Sequence, residues 1–101
     1  MQAKVEHPLE MVLESLGQRG VYTIMSSLLL GPMRFGALQQ LTMLPPRTLS
    51  LRLKELEEMD LISRTEYNEV PPRVDYALTE LGKSLKPSLD ALAKWEERAR
   101  R

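Results

Sequence analysis

Phe35-Gly36-Ala37-Leu38-Gln39-Gln40-Leu41, then Thr42-Met43-Leu44-Pro45, then Pro46-Arg47-Thr48-Leu49-Ser50-Leu51-Arg52-Leu53-Lys54-Glu55-Leu56-Glu57-Glu58-Met59 decides the fold. Phe35, Leu38 and Leu41 recur at the spacing of one helical face. Leu49, Leu53 and Leu56 do the same in the longer segment. Between them, Thr42 to Pro45 is too short for anything but a tight connection. Pro46 opens the second helix at the position where a missing N–H costs nothing. Two short helices joined this way form the helix-turn-helix pattern.

Upstream, Pro8 suits the first turn of a helix through Leu9, Val12, Leu13 and Leu16, which Gly17 and Gly20 end. Val21 to Leu30 follows, apolar almost all round and stopped by Gly31-Pro32, the pattern of a buried central helix. Downstream, the period changes after Asp60. Leu61 to Tyr67 reads as a strand, Asn68 to Arg73 as a loop stiffened by Pro71-Pro72, and Val74 to Leu78 as a second strand. Thr79 is the expected cap of a last helix with the stripe Leu81, Leu85, Leu89, Leu92 and Trp95, which Pro87 should kink or divide. The expected fold is mainly α with a small β-hairpin (α+β), a winged helix-turn-helix filling residues 1–101 as one domain. Its helix-turn-helix spans about 34–59, its wing about 61–78, and its first and last helices about 8–17 and 80–98.

Composition removes several chemistries. The sequence has no cysteine, so disulfides, thiolate metal sites and thiol redox sensing are excluded, and its single histidine, His7, reads as a surface residue. No glycine-rich phosphate loop and no nucleophile with a partner base occur, so an enzyme is not expected. Glu57 and Glu58 point in different directions on a helix and cannot act as an acid–base couple. Neither a cofactor nor a metal is expected. The longest apolar run falls short of the ~20 residues of a membrane span. Met1 to Glu6 lacks the apolar core of a secretory signal, so a soluble cytoplasmic protein is expected.

Net charge is zero, yet its distribution is uneven. The forty residues Ser15 to Lys54 contain no acid and carry Arg19, Arg34, Arg47, Arg52 and Lys54, so this window holds +5 and the remainder −5. A phosphate backbone responds to the field within roughly 8 Å at physiological salt, not to the sum over the chain. On the Pro46–Met59 helix, Arg47, Leu51, Lys54 and Glu58 lie opposite the leucine stripe, flanked by Thr48, Ser50 and Glu55. Cations and hydroxyls fill the N-terminal half and acids the C-terminal half. A recognition helix enters the major groove of duplex DNA with its N-terminal end, which matches this gradient.

Arg47 is suited to a guanine edge or a phosphate, and Thr48, Ser50 and Lys54 to phosphates or bridging water. Arg34 is a candidate backbone contact, and Arg52 favours an ion pair within the chain. In the hairpin, Arg64 and Arg73 bracket the loop as wing contacts, Arg73 the better placed, although Glu69 opposes phosphate. The alternatives are a solvated turn pairing with Glu66 or Glu69 and, for the whole domain, a protein-interaction module without sequence-specific DNA binding.

A homodimer is expected along a seam of Leu9, Val12 and Leu13 with Leu85, Leu89, Leu92 and Trp95, because an indole so near the chain end would otherwise stay wet. The methionines read as adaptable core filler. Met25 and Met33 are the pair that could line a small-molecule effector cavity at that seam. Lys94, Arg98, Arg100 and Arg101 read as a solvated helix end.

Three segments carry a resemblance. They are Gly31-Pro32-Met33-Arg34-Phe35, the recognition-helix run Leu49 to Leu56, and Val70-Pro71-Pro72-Arg73-Val74-Asp75-Tyr76-Ala77-Leu78-Thr79 continuing to Leu81-Gly82. In this order the chain resembles the HxlR-type regulators, relatives of the MarR winged helices, over roughly residues 7 to 95. The resemblance implies a homodimer joined through terminal helices on a pseudo-palindromic operator. It gives recognition-helix roles to Arg47, Thr48, Ser50, Leu51 and Lys54 and a wing role to Arg73. Two departures stand out. Family members often have a cysteine at about the position of His7, and they commonly read Gly-Gly-Lys-Trp where this chain has Gly17-Gln18-Arg19-Gly20.

Overall fold

Ile24 and Met25 expose no surface at all, and the helix that carries them, α2 (Val21–Leu28), packs against three of the other elements. The computed structural model describes residues 7–101, so Met1 to Glu6, and the reading made on them, lie outside the described residues. Around α2 are arranged α1 (Leu9–Leu16), α3 (Phe35–Thr42), α4 (Pro46–Glu58), the hairpin strands β1 (Ile62–Tyr67) and β2 (Arg73–Leu78), and two closing helices, α5 (Glu80–Lys83) and α6 (Lys86–Ala99). This is the winged helix-turn-helix. Among the described residues no helix is long and apolar enough to cross a membrane.

Three expectations are corrected. α2 ends at Leu28 and buries only one face, Val21, Ile24, Met25 and Leu28; Tyr22 is half exposed and Leu30 lies in the following turn, largely exposed. In α3, Leu38 is buried and Phe35 packs on the core, but Leu41 is 51% exposed. Each three-residue step falls about 60° short of a full turn, so two steps carry Leu41 away from the face that Phe35 begins. Met25, wholly buried in the core, offers no surface to a cavity at a seam. The methionines divide: Met25 and Met59 are core, whereas Met11 and Met43 are exposed.

The turn between α3 and α4 depends on Met43, whose left-handed backbone (φ 60°) closes the helix by donating to the Gln39 carbonyl at 2.8 Å. Leu44 then turns inward and is buried. Its methyls lie over Gly20, where a β-carbon would come within 2.6 Å of Leu44 Cδ1 and where φ is +90°. Gly20 stands where the regulators that the chain resembles commonly have tryptophan. In this chain Leu44 fills the space over that corner, and only glycine suits both the approach and the backbone.

β1 and β2 are antiparallel from Ile62 opposite Leu78 to Tyr67 opposite Arg73. Met33 adds a one-residue third strand by exchanging backbone hydrogen bonds with Tyr76 at 2.9 and 2.8 Å. The wing is thereby tied to the residues just before α3.

Thr79 caps α5, as expected, by accepting from the Gly82 amide at 3.0 Å. The same hydroxyl donates to the Asp60 carbonyl at 2.6 Å, and the Thr79 amide donates to the Leu61 carbonyl at 3.0 Å. Gly82 sits against that Leu61 carbonyl so closely that a β-carbon would overlap it. The last helix is divided rather than kinked. Pro87 lacks the N–H that would continue α5, and a new helix starts at Lys86. Leu81 and Leu85 pack on the core and Leu89 is buried, whereas Leu92 and Trp95 run out into solvent.

Candidate nucleic-acid interface

The interface begins with the back of α4. Leu49, Leu53 and Leu56 are essentially inaccessible and pin the helix to the core. At about 100° per residue, the opposite face falls on Arg47, Leu51, Lys54 and Glu58, and all four are exposed. Ser50 is exposed beside them and Thr48 is half-buried at the margin. The first turn of α4 holds no acid and no side-chain cap, and Pro46 sits in it. Among the described residues, neither Arg47 nor Lys54 belongs to a salt bridge.

Arg52 behaves differently. Its guanidinium lies 3.9 Å from Glu55, its Nε donates to the Arg19 carbonyl at 3.4 Å, and most of its side chain is covered. It is engaged within the chain, as its position beside the leucine stripe suggests.

The wing cations are also engaged. Arg73 has a guanidinium 4.0 Å above the Tyr67 ring, 3.7 Å from Glu69 and, through Nε, 3.7 Å from Asp75. That Nε is buried without a hydrogen-bond partner, and less of this side chain is exposed than of any other wing-side arginine. Arg64 donates to Glu66 on its own strand, and this carboxylate, with Tyr76 next, raises the Arg64 guanidinium further above its ordinary value. Arg34, 65% exposed along its side chain, faces Asp75 at 4.0 Å. Arg73 is therefore a poorer candidate for a reaching wing arginine than its place beside the loop suggests. Asp75, shared by Arg34 and Arg73, and Tyr67 beneath Arg73 were missed by sequence reasoning. The signal lay in the strand register, which sets Tyr67 opposite Arg73.

Of the residues assigned to a dimer seam, Leu9, Leu13, Leu92 and Trp95 are more than half exposed. Leu89 is buried in the core of the chain, and Val12 and Leu85 pack half-buried on that same core. Those three are primarily internal residues. Tyr22 joins Leu92, Ala93, Glu96, Glu97 and Arg100 around an open groove of about 530 Å³ between α2 and α6. Arg100 and Arg101 pair with Glu96 and Glu97 at the helix end.

A family model for the HxlR-like helix-turn-helix matches residues 15–101, from the end of α1 through the wing to the last residue. The chain belongs to the HxlR-like helix-turn-helix family. An HTH-type transcriptional regulator from Methanothermobacter thermautotrophicus is 40% identical over 88 residues, which are 86% of this chain and 67% of the relative. The reduced form of the redox regulator HypR superposes with a TM-score of 0.84 at 32% identity, covering 93% of this chain and 94% of HypR. A MarR-family transcriptional regulator from Enterococcus faecalis V583 superposes with a TM-score of 0.80 at 32% identity, covering 99% and 92%. This HxlR-type chain is a transcriptional regulator with a winged helix-turn-helix DNA-binding domain of the MarR-like kind.

Proposed function

We propose that the chain regulates transcription as a homodimer on a pseudo-palindromic duplex operator, with one α4 in the major groove of each half-site and the wing along the flanking backbone or minor groove. The observation that carries the reading is the pair Arg47 and Lys54, outward and unpaired among the described residues, on a helix whose back is fixed by three buried leucines. Cations held on a rigid element meet a phosphate or a base edge with little reorganisation. The acid-free first turn of α4 favours approach of its amides to a phosphate. Arg47 is assigned to a guanine edge or a phosphate, and Thr48, Ser50 and Lys54 to phosphates and bridging water, with Leu51 between them in the groove. Arg34 is assigned a backbone contact. At the wing, Arg64 is assigned a phosphate contact that it makes by giving up Glu66, and Arg73 supports the loop.

The homodimer rests on the apolar surface that α1 and α6 leave uncovered, Leu9, Leu13, Leu92 and the indole of Trp95. A second copy covers such a surface and sets two recognition helices about 34–36 Å apart, one turn of the duplex. These 101 residues contain no cysteine, so no thiol among them senses redox, and a small-molecule effector is the candidate signal. A chromosomal target corresponds to the cytoplasm.

Selection of bound fragments from random DNA, followed by anisotropy titrations at several salt concentrations and light scattering, tests the proposal. The expected results are a two-fold symmetric motif, a scattering mass of two chains, and log affinity falling linearly with log salt. Affinity indifferent to salt, or a monomer on an asymmetric motif, would overturn it.

A further inference from the structure

We infer that Leu51 is a specificity-determining residue that reads the 5-methyl group of a thymine in each half-site. The inference rests on α4 being the recognition helix and adds what it recognises. Leu51 is 53% exposed and lies roughly opposite the buried stripe, two residues from both Leu49 and Leu53. It is absent from the core and from the apolar side chains packed against it.

A lone exposed leucine has no meaning on an ordinary surface. Here it lies in the N-terminal part of the outward face, with Arg47 one turn before it and Lys54 one turn after it, both exposed. Cations on either side of Leu51, with the acid Glu58 a further turn away, favour a polyanionic partner at this part of the face and disfavour an apolar protein surface, which would have to desolvate them. Within the major groove, three of the four base types present hydrogen-bonding groups and no methyl. Thymine alone adds a methyl. A leucyl side chain over a guanine or cytosine edge would strip water from donors and acceptors and offer nothing in return. Over thymine it covers a methyl and leaves the neighbouring polar edges to Ser50 or water. Leu51 thus selects an A·T pair at its position by attraction to one methyl and by exclusion of the G·C alternatives.

Replacing each thymine of one half-site in the selected operator by deoxyuridine removes a methyl and nothing else. Wild-type protein is expected to lose about fourfold in affinity at one position, the value of one buried carbon, and L51A protein to be indifferent to that replacement. L51Q, whose amide can take the adenine edge, should also ignore the methyl while still preferring the A·T pair. Both variants change an exposed side chain to a good helix former, so folding is not at issue. Duplex binding in which no thymine methyl matters, or in which methyl sensitivity survives in L51A, overturns the inference while leaving the operator reading intact. Recovery of no duplex at all overturns both.

Discussion

Of the three cations on the recognition helix two, Arg47 and Lys54, are left without a partner among the described residues, whereas both arginines of the wing are engaged. On α4, Arg47 and Lys54 face outward without a carboxylate partner among the described residues. On the hairpin, Arg64 is tied to Glu66, and Arg73 is stacked on Tyr67 and flanked by Glu69 and Asp75. Between Ile62 and Leu78 the two arginines are outnumbered by Glu66, Glu69 and Asp75, so the wing is acidic by one charge. An arginine in a DNA-binding domain is therefore not automatically a phosphate contact. What decides is whether the chain has already supplied its counter-charge, because an engaged guanidinium must give up one partner to gain another.

The largest effect should come from removing the anchor that makes α4 different. Leu53→Ala leaves a cavity behind the recognition helix and is expected to lower stability by about 2–5 kcal/mol, read from the urea midpoint, with operator binding falling in step. Next, Arg47→Ala should cost about 1–3 kcal/mol of binding without moving the unfolding midpoint, and should broaden the selected motif if Arg47 meets a base. Lys54→Ala is expected to weaken binding evenly across sequences and to reduce the salt slope by about one, as for a lost phosphate contact.

The smallest change sharpens the contrast most. Arg73→Ala should leave the salt slope where it is and loosen the hairpin by about 0.5–1 kcal/mol, the worth of a partly exposed cation–ring contact, measured as faster amide exchange in β1 and β2. A slope reduction equal to that of Lys54→Ala, with exchange unaltered, would break the distinction between helix and wing.

The helix was legible in the sequence and the wing only partly, for a physical reason. Leu49, Leu53 and Leu56 fix one face of α4 by spacing alone, so the opposite face followed without knowledge of any neighbour. The partners of Arg73 depend on the hairpin register, which the alternation of Val74, Tyr76 and Leu78 orients without aligning to β1. Tyr67 could be placed beneath Arg73 only once Ile62 was known to pair with Leu78. Leu41 and Met25 show the complementary weakness of pattern. A three-residue repeat drifts out of the core it begins in. An apolar helix, for its part, does not disclose which of its side chains a second subunit could reach. Leu44 over Gly20 was beyond reach because it joins two loops that no periodicity links.

The Thr79 hydroxyl bonds to the carbonyl that follows α4 and to the amide inside α5, while Gly82 leaves no gap between α5 and Leu61. The end of the recognition helix and the start of the closing helices consequently share a single joint without slack. Thr79 and Asp60, 19 residues apart along the chain, are thereby only one side chain apart in space.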